Sequence, residues 1–381
     1  MPIRVMHVVR PADGGMREHV KQLIWGMPHD QIEPIVACPE ESALFCQLPS
    51  RVHKIALEVK DGVKPWEDMR SVIALRQQLE RHPIDILHMH GAKSALIGRT
   101  AAALAKRKPR LICTVHNFIQ PANRILRSTF VTIERKLSSQ TDRYIAVSNA
   151  LAEQLQQQIV RRTDKISIVY NGLAPTKQRI SRTEARNLMK VPQNVAVIGT
   201  IARLIPEKGV ADLLLAFRML TNLGHEAYLV IIGDGPQKEE LQELCSDLAA
   251  RIRWLGSVEE ASQLIPGFDL YVQSSHREGF GLAVLEAMRE GVAVIATNVG
   301  GLPEVIGASR IGINECGALI PAQSPVMLCQ YIQELLCDEE RKLALGDAGK
   351  RRVQEYFSID QMIQDTIRVY NEVLSVRRFH E

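Results

Sequence analysis

The chain has 381 residues, of which 46% are hydrophobic and 24% charged, and its net charge is only +4. That length suits two domains, and the composition is that of an ordinary soluble globular protein, without repeats or low-complexity tracts. Its one N-terminal apolar run, within MPIRVMHVVRPADGG, is too short for a signal peptide and far too short to span a bilayer, so a cytoplasmic protein is expected.

In chain order, short β-branched runs alternate with helix-length segments. Strands are predicted over 3–9, 32–38, 84–90, 110–116, 143–148 and 165–171, with helices over 16–27, 67–82, 93–106, 123–139 and 149–160. After YNGLAP the pattern restarts. Strands are predicted over 195–202, 227–235, 252–256, 269–275, 292–300 and 317–322, with helices over 209–223, 237–249, 281–290, 302–307 and 324–337. Strand, helix, strand repeated in this way implies parallel sheets covered on both faces. Two doubly wound α/β domains facing a cleft follow, 1–172 and 173–359, with a linker in PTKQRISRTEARN and a last helix from about 360 packing back on the first domain. Ligands of such sheets bind beyond the carboxyl ends of the strands, so the residues that end strands are the ones to inspect.

Charge is unevenly placed. The first 172 residues carry 25 basic against 16 acidic side chains, the remainder 22 against 27. Between Asp85 and Glu134 there is no acid, while Lys93, Arg99, Lys106, Arg107, Lys108, Arg110, Arg124 and Arg127 all fall there. A one-signed run suggests an anionic partner, and a solvated helical face reads equally well. The seven cysteines include no C-x-x-C and read as reduced thiols, with no structural zinc site expected.

Several strand ends carry chemistry. Gly14 and Gly15 precede a helix start, where backbone N–H groups can face an anion. GDGP (233–236) lacks the third glycine of a dinucleotide fingerprint and reads as a turn. His90 and His116 each end an apolar strand, facing the presumed cleft. TIARLIPEKGV sets Arg203 and Lys208 in a strand-to-helix loop, where two cations can clamp a diphosphate; a surface Arg203–Glu207 pair is the alternative, and the preceding strand argues for the clamp. In DLYVQSSHREGFGLAVLEAM, Glu278 lies in the loop beyond a strand and Glu286 within the next helix, with Gly279 and Gly281 allowing close backbone approach. Carboxylates so placed suit a hydroxyl-rich ligand such as a sugar.

Taken together, EGFGLAVLEAM…GVAVIATNVGGLPEVI, ARLIPEKGV, VYNGL and GGMREHV resemble, in family order from residue 14 to 304, a retaining GT-B glycosyltransferase of glycosyltransferase family 4. The resemblance implies transfer of a sugar from a nucleotide-diphosphate donor, UDP- or GDP-linked, to an acceptor hydroxyl, as in cell-envelope glycan or glycolipid synthesis. It implies that Arg203 and Lys208 bind the donor diphosphate and that Glu278 and the backbone of Gly279, Phe280, Gly281 and Leu282 hold the sugar and phosphates. Glu286 would take the ribose, His116 the donor sugar, and Gly15 would approach the phosphate. No cofactor or essential metal is expected, and no nucleic-acid partner. Ser274 or Ser275, Ala283 and Ala293 stand where the family often has proline, and Asn117 where it has aspartate or glycine. An anionic or lipid-linked acceptor, with peripheral contact to the inner membrane leaflet, is the expectation from the basic run. A non-hydrolysing sugar-nucleotide epimerase would not be expected to carry the two-glutamate signature. A catalytically silent partner subunit should have lost one of Arg203, Lys208, Glu278 and Glu286.

Overall fold

The computed structural model describes residues 2–11, 14–60, 62, 64–117, 124–175, 179–308 and 310–376, with the side chains of 124–127 excepted. The chain divides into two compact units, Met1–Gly172 with Ile359–Glu381, and Leu173–Ser358.

In the first unit, strands Ile3–Val9 (β1), Ile32–Cys38 (β2), His53–Ala56 (β3), Ile86–His90 (β4), Arg110–Val115 (β5), Arg143–Ala146 (β6) and Ile166–Ile168 (β7) form one sheet. Its order is β3-β2-β1-β4-β5-β6-β7, and every pairing is parallel. The second unit repeats the plan with Ala196–Ile201 (β8), Ala227–Ile232 (β9), Ile252–Gly256 (β10), Leu270–Gln273 (β11), Ala293–Thr297 (β12), Gly312–Asn314 (β13) and Gly317–Ile320 (β14). Here the order is β10-β9-β8-β11-β12-β14-β13, and only the edge strand β13 runs antiparallel. These are two Rossmann-like sheets, each reversing its winding once, between β1 and β4 and between β8 and β11. In such sheets that reversal opens a crevice for a ligand.

Burial explains why the central strands could be read from sequence. All five residues of β4, all four of β11 and all five of β12 are buried, so no face of them turns to solvent, although His88 and His90 interrupt β4 and Gln273 and Thr297 close β11 and β12. Two edge strands escaped the sequence reading. In β3 only Ile55 is buried, and in β13 none is, so neither carries an apolar signal.

The stretch 175–187, expected to contain the linker, is helical in its second half. Arg182–Met189 is a helix of the second unit, started by Ser181, whose side chain accepts from Glu184 N. Arg186, 1% exposed, donates to the carbonyls of Pro192, Gln193, Val195 and Gly267 and pairs with Asp269 at 2.7 Å. A polar sequence hid this helix because its anchor is a buried guanidinium, not an apolar stripe. In the first unit the final helix, Ile359–Ser375, lays Met362, Ile363, Val369, Tyr370 and Val373 into one core with Val5, Ile86 and Ile112. Among the described residues, no helix is long and apolar enough to cross a membrane.

Candidate active site

In the second unit two loops meet at the winding reversal. One leaves β8 through Arg203 and the 3-10 turn Pro206–Lys208 into helix Val210–Asn222; the other joins β11 to helix Leu282–Arg289. They are stapled together. The amides of His276 and Arg277 donate to the Glu207 carbonyl at 2.8 and 3.2 Å, and His276 Nε2 lies 2.7 Å from Asp212 Oδ2. Gly209 has φ +60°, and a Cβ there would stand 2.1 Å from the Ser274 carbonyl oxygen, so only glycine lets the loops approach this closely.

The stapling brings two of the predicted residues into contact. Lys208 Nζ donates to Glu278 Oε2 at 2.6 Å, with the two side chains 20% and 9% exposed. A relay of neutral donors supports the same oxygen from within the sheet. Tyr271 OH donates to Gln273 Oε1 at 2.8 Å, Gln273 Nε2 to Ser275 Oγ at 2.8 Å, and Ser275 Oγ to Glu278 Oε2 at 3.2 Å. Gly300 fixes the backbone behind: at φ +53°, a Cβ would lie 1.7 Å from the Glu278 carbonyl oxygen. Glu278 is thus a carboxylate held half out of water by one cation and one hydroxyl, which stabilises a charge that burial alone would penalise.

Glu286 is half-buried on helix Leu282–Arg289. The Tyr271 phenol is pushed far above its ordinary value, chiefly by burial, and the carboxylates of Glu286 and Glu278 push it further. Both acids therefore act on one hydroxyl at β11. Phe280 is buried, with its ring edge-on to Phe357 at 5.7 Å, so its side chain packs against the protein. Gly281, at φ +101°, precedes the helix and Leu282 begins it, while Gly279 lies in the loop before them. Arg203 is exposed and, among the described residues, has no ion-pair partner, so the surface pair with Glu207 does not form.

At the reversal of the first unit the chemistry differs. His7 of β1 stands in register with His88 of β4, and His90, two residues on, shares its face. With His19 and His116 they form a cluster of five imidazoles, none more than 8% exposed. His7 Nδ1 and His90 Nε2 are 3.1 Å apart, and His90 Nδ1 and His116 Nε2 3.3 Å. His88 is engaged at both nitrogens, with Tyr370 OH at 2.7 Å and Thr114 Oγ1 at 2.6 Å. Burial lowers His7 to about 3 and His19 to about 4, and holds His88, His90 and His116 well below 6.5. The cluster is neutral at physiological pH. Gly15 begins helix Gly15–Gly26, directly after Gly14 at φ +69°. Sequence reasoning singled out His90 and His116 but passed over His7, His19 and His88; the available signal was histidine at alternate positions of LHMH beside MHVV.

Three of the eight cations of this unit's basic run are paired with acids in space. Lys93 meets Asp68 at 2.5 Å and Arg110 meets Asp142 at 3.2 Å. Arg99, 1% exposed, binds Glu134 at 2.9 Å, Thr141 at 3.0 Å and Tyr144 at 3.2 Å. Lys106, Arg107 and Lys108 remain exposed, while the side chains of Arg124 and Arg127 lie outside the described residues.

Two family models tile the chain. "Glycosyltransferase Family 4" matches residues 13–177, and "Glycosyl transferases group 1" matches 181–352. The N-acetyl-alpha-D-glucosaminyl L-malate synthase of Bacillus anthracis is 26% identical over 320 residues, covering 81% of this chain and 80% of that protein. The UDP-Gal:alpha-D-GlcNAc-diphosphoundecaprenol alpha-1,3-galactosyltransferase of Escherichia coli is 26% identical over 311 residues, covering 78% and 80%. Among solved structures, Anabaena Alr3699/HepE in complex with UDP-glucose superposes with a TM-score of 0.83 at 20% identity, over 97% of this chain and 100% of that one. The molecule is a glycosyltransferase with the GT-B fold. Its two matched domains make it one of the family 4 type.

Proposed function

We propose that this chain is a retaining transferase that moves a sugar from a nucleotide-diphosphate donor to an acceptor hydroxyl in cell-envelope glycan assembly. The observation that carries the reading is the Lys208–Glu278 contact at 2.6 Å, formed at the sheet reversal with exposed Arg203 on the same loop and Glu286 nearby. Lys208 is held by a partner it can exchange. An arriving diphosphate competes for the ammonium, Arg203 adds a fork of donors, and Glu278 is released to accept hydrogen bonds from sugar hydroxyls. Glu286 is assigned to the ribose, and His116 and Gly15 of the first unit to the donor sugar and phosphate. The acceptor attacks from the leaving-group face and passes its proton to a donor phosphate oxygen, so no protein base is required. Two side-chain cations with helix-start amides neutralise the leaving group, so transfer proceeds without a metal.

Two relatives support the substrate class. The Escherichia coli protein is named for a UDP-linked donor and a diphosphoundecaprenol-linked acceptor, and Alr3699/HepE was crystallised with UDP-glucose. We extend this to an anionic or lipid-linked acceptor here, reached by a cytoplasmic enzyme at the inner leaflet. Thermal stabilisation by a panel of UDP- and GDP-sugars tests the donor class, because a ligand that binds only the native state raises its melting temperature. Anomeric analysis of the product tests retention. A panel in which no nucleotide sugar raises the melting temperature overturns the donor assignment.

A further inference from the structure

The proposed transfer uses one ring of the first unit's histidine cluster, His116, whose Nε2 faces His90 and whose other nitrogen is left for a sugar hydroxyl; the remaining rings have no part in it. We propose that His19, His90 and His116 form a binding site for a divalent transition-metal ion of the zinc class.

The three rings present ligand atoms that all lie within 4.8 Å of one another, and all three residues are buried. His90 Nδ1 and His116 Nε2 are 3.3 Å apart. That is long for a hydrogen bond between nitrogens, and it matches the edge of a tetrahedron with metal–nitrogen bonds of roughly 2.0–2.1 Å. His19 supplies the second, independent observation. It is 4% exposed, and no hydrogen bond of good geometry reaches either ring nitrogen; the buried Asn171 side-chain oxygen, likewise without one, is close enough to favour the protonated ring but does not close a proper bond to it. Native proteins seldom leave such groups unsatisfied. An ion among the rings satisfies His19 and leaves Asn171 beside the histidine as an acceptor for whatever fills a fourth position.

The neighbouring triad of His7, His88 and His90 is excluded by its own hydrogen bonds, since both His88 nitrogens are already engaged with Tyr370 and Thr114. His7 has another part. With His90 Nδ1 facing the ion, His90 Nε2 carries the proton and donates to His7 Nδ1 at 3.1 Å, which fixes tautomer and ring orientation. Three imidazoles without a carboxylate favour zinc, copper or nickel over magnesium or calcium. The ion is not asked to neutralise a leaving group, and the proposal stands or falls on metal content, whether or not sugar transfer is demonstrated.

The test uses the full-length chain, stripped with chelator, loaded with zinc chloride, gel-filtered and analysed for metal. One ion per chain is expected for the wild type and for His53→Ala, a surface control. Loss of the ion is expected for His19→Ala and for His116→Ala, and His7→Gln should weaken zinc affinity roughly 10- to 100-fold at unchanged stoichiometry. Cobalt loading of the wild type keeps the test decisive should the variants fold poorly, because a nitrogen-bound tetrahedral ion gives intense visible bands without thiolate charge transfer. A wild type that retains no zinc, a His19→Ala protein that retains it fully, or a cobalt spectrum that is octahedral or thiolate-like overturns the site.

Discussion

The two units carry sheets whose first five strands share one order, diverging only at the β14-β13 edge, and they place opposite chemistry at the same topological position. Where β1 and β4 part, the chain has five buried, neutral imidazoles; where β8 and β11 part, it has Lys208 against Glu278, with Arg203 exposed beside them. The winding reversal decides where a ligand can sit, and the side chains at the strand ends decide what it can be. Neutral rings in a dry site suit hydroxyls or a metal ion. A cation held by an exchangeable carboxylate suits a diphosphate.

The largest expected effect breaks the imidazole side of this contrast. The folded-state values of His7, about 3, and His19, about 4, lie below the unfolded 6.5, so the unfolded chain binds more protons in the interval between. Stability is therefore complete above about pH 6.5 and is lost as pH falls toward 4 and then 3, at up to ~1.4 kcal/mol per pH unit for each histidine. Melts of chelator-treated protein between pH 8 and 4 should show a steep acid-side decline, shallower in His19→Gln. Equal stability at pH 7 and pH 5 contradicts the buried neutral cluster.

On the charged side, Arg203→Ala or Lys208→Ala should remove about 2–4 kcal/mol of transition-state stabilisation, a roughly 30- to 1,000-fold fall in kcat/KM, with the fold intact. Near-normal turnover in both variants sinks the diphosphate assignment. A smaller effect is expected of Glu286→Gln. Glu286 is assigned to the ribose, so donor affinity should fall by about 1–2 kcal/mol, a larger change than the one in stability. A large fall in melting temperature at unchanged affinity would make Glu286 a structural residue instead.

Smaller still is attachment to anionic vesicles. With Lys93, Arg99 and Arg110 already paired to acids, exposed Lys106, Arg107 and Lys108 are left, among the described side chains, to contribute roughly 1 kcal/mol each. Weak co-sedimentation that needs anionic lipid and fades with salt is expected. Equal, negligible binding to neutral and anionic vesicles at low salt removes the membrane contact and favours a soluble acceptor. Excess chelator should leave transfer unchanged; complete loss restored by magnesium or manganese would refute the neutralisation of the leaving group by side chains.

The sequence by itself determined the two-sheet plan, because central parallel strands are buried on both faces and appear as predominantly apolar runs such as AYLVII of β9 and AVIAT of β12. It also pointed to Lys208, Glu278 and Glu286, since charge beside glycine at a strand end is visible locally. What only the tertiary structure decided is pairing. Glu278 meets Lys208 across 70 residues of chain, and the basic run of the first unit loses its one-signed character to Asp68, Glu134 and Asp142 from outside it. His19 carries no local mark of function, and the histidines of MHVV and LHMH show the face each takes within its strand but not which rings meet. Parallel register sets His7 beside His88, and the helix that begins at Gly15 brings His19 to His116, with ring centroids 4.7 Å apart. Sequence spacing fixes which residues share a face within one element. Which faces meet depends on sheet order and helix packing, which no local pattern contains.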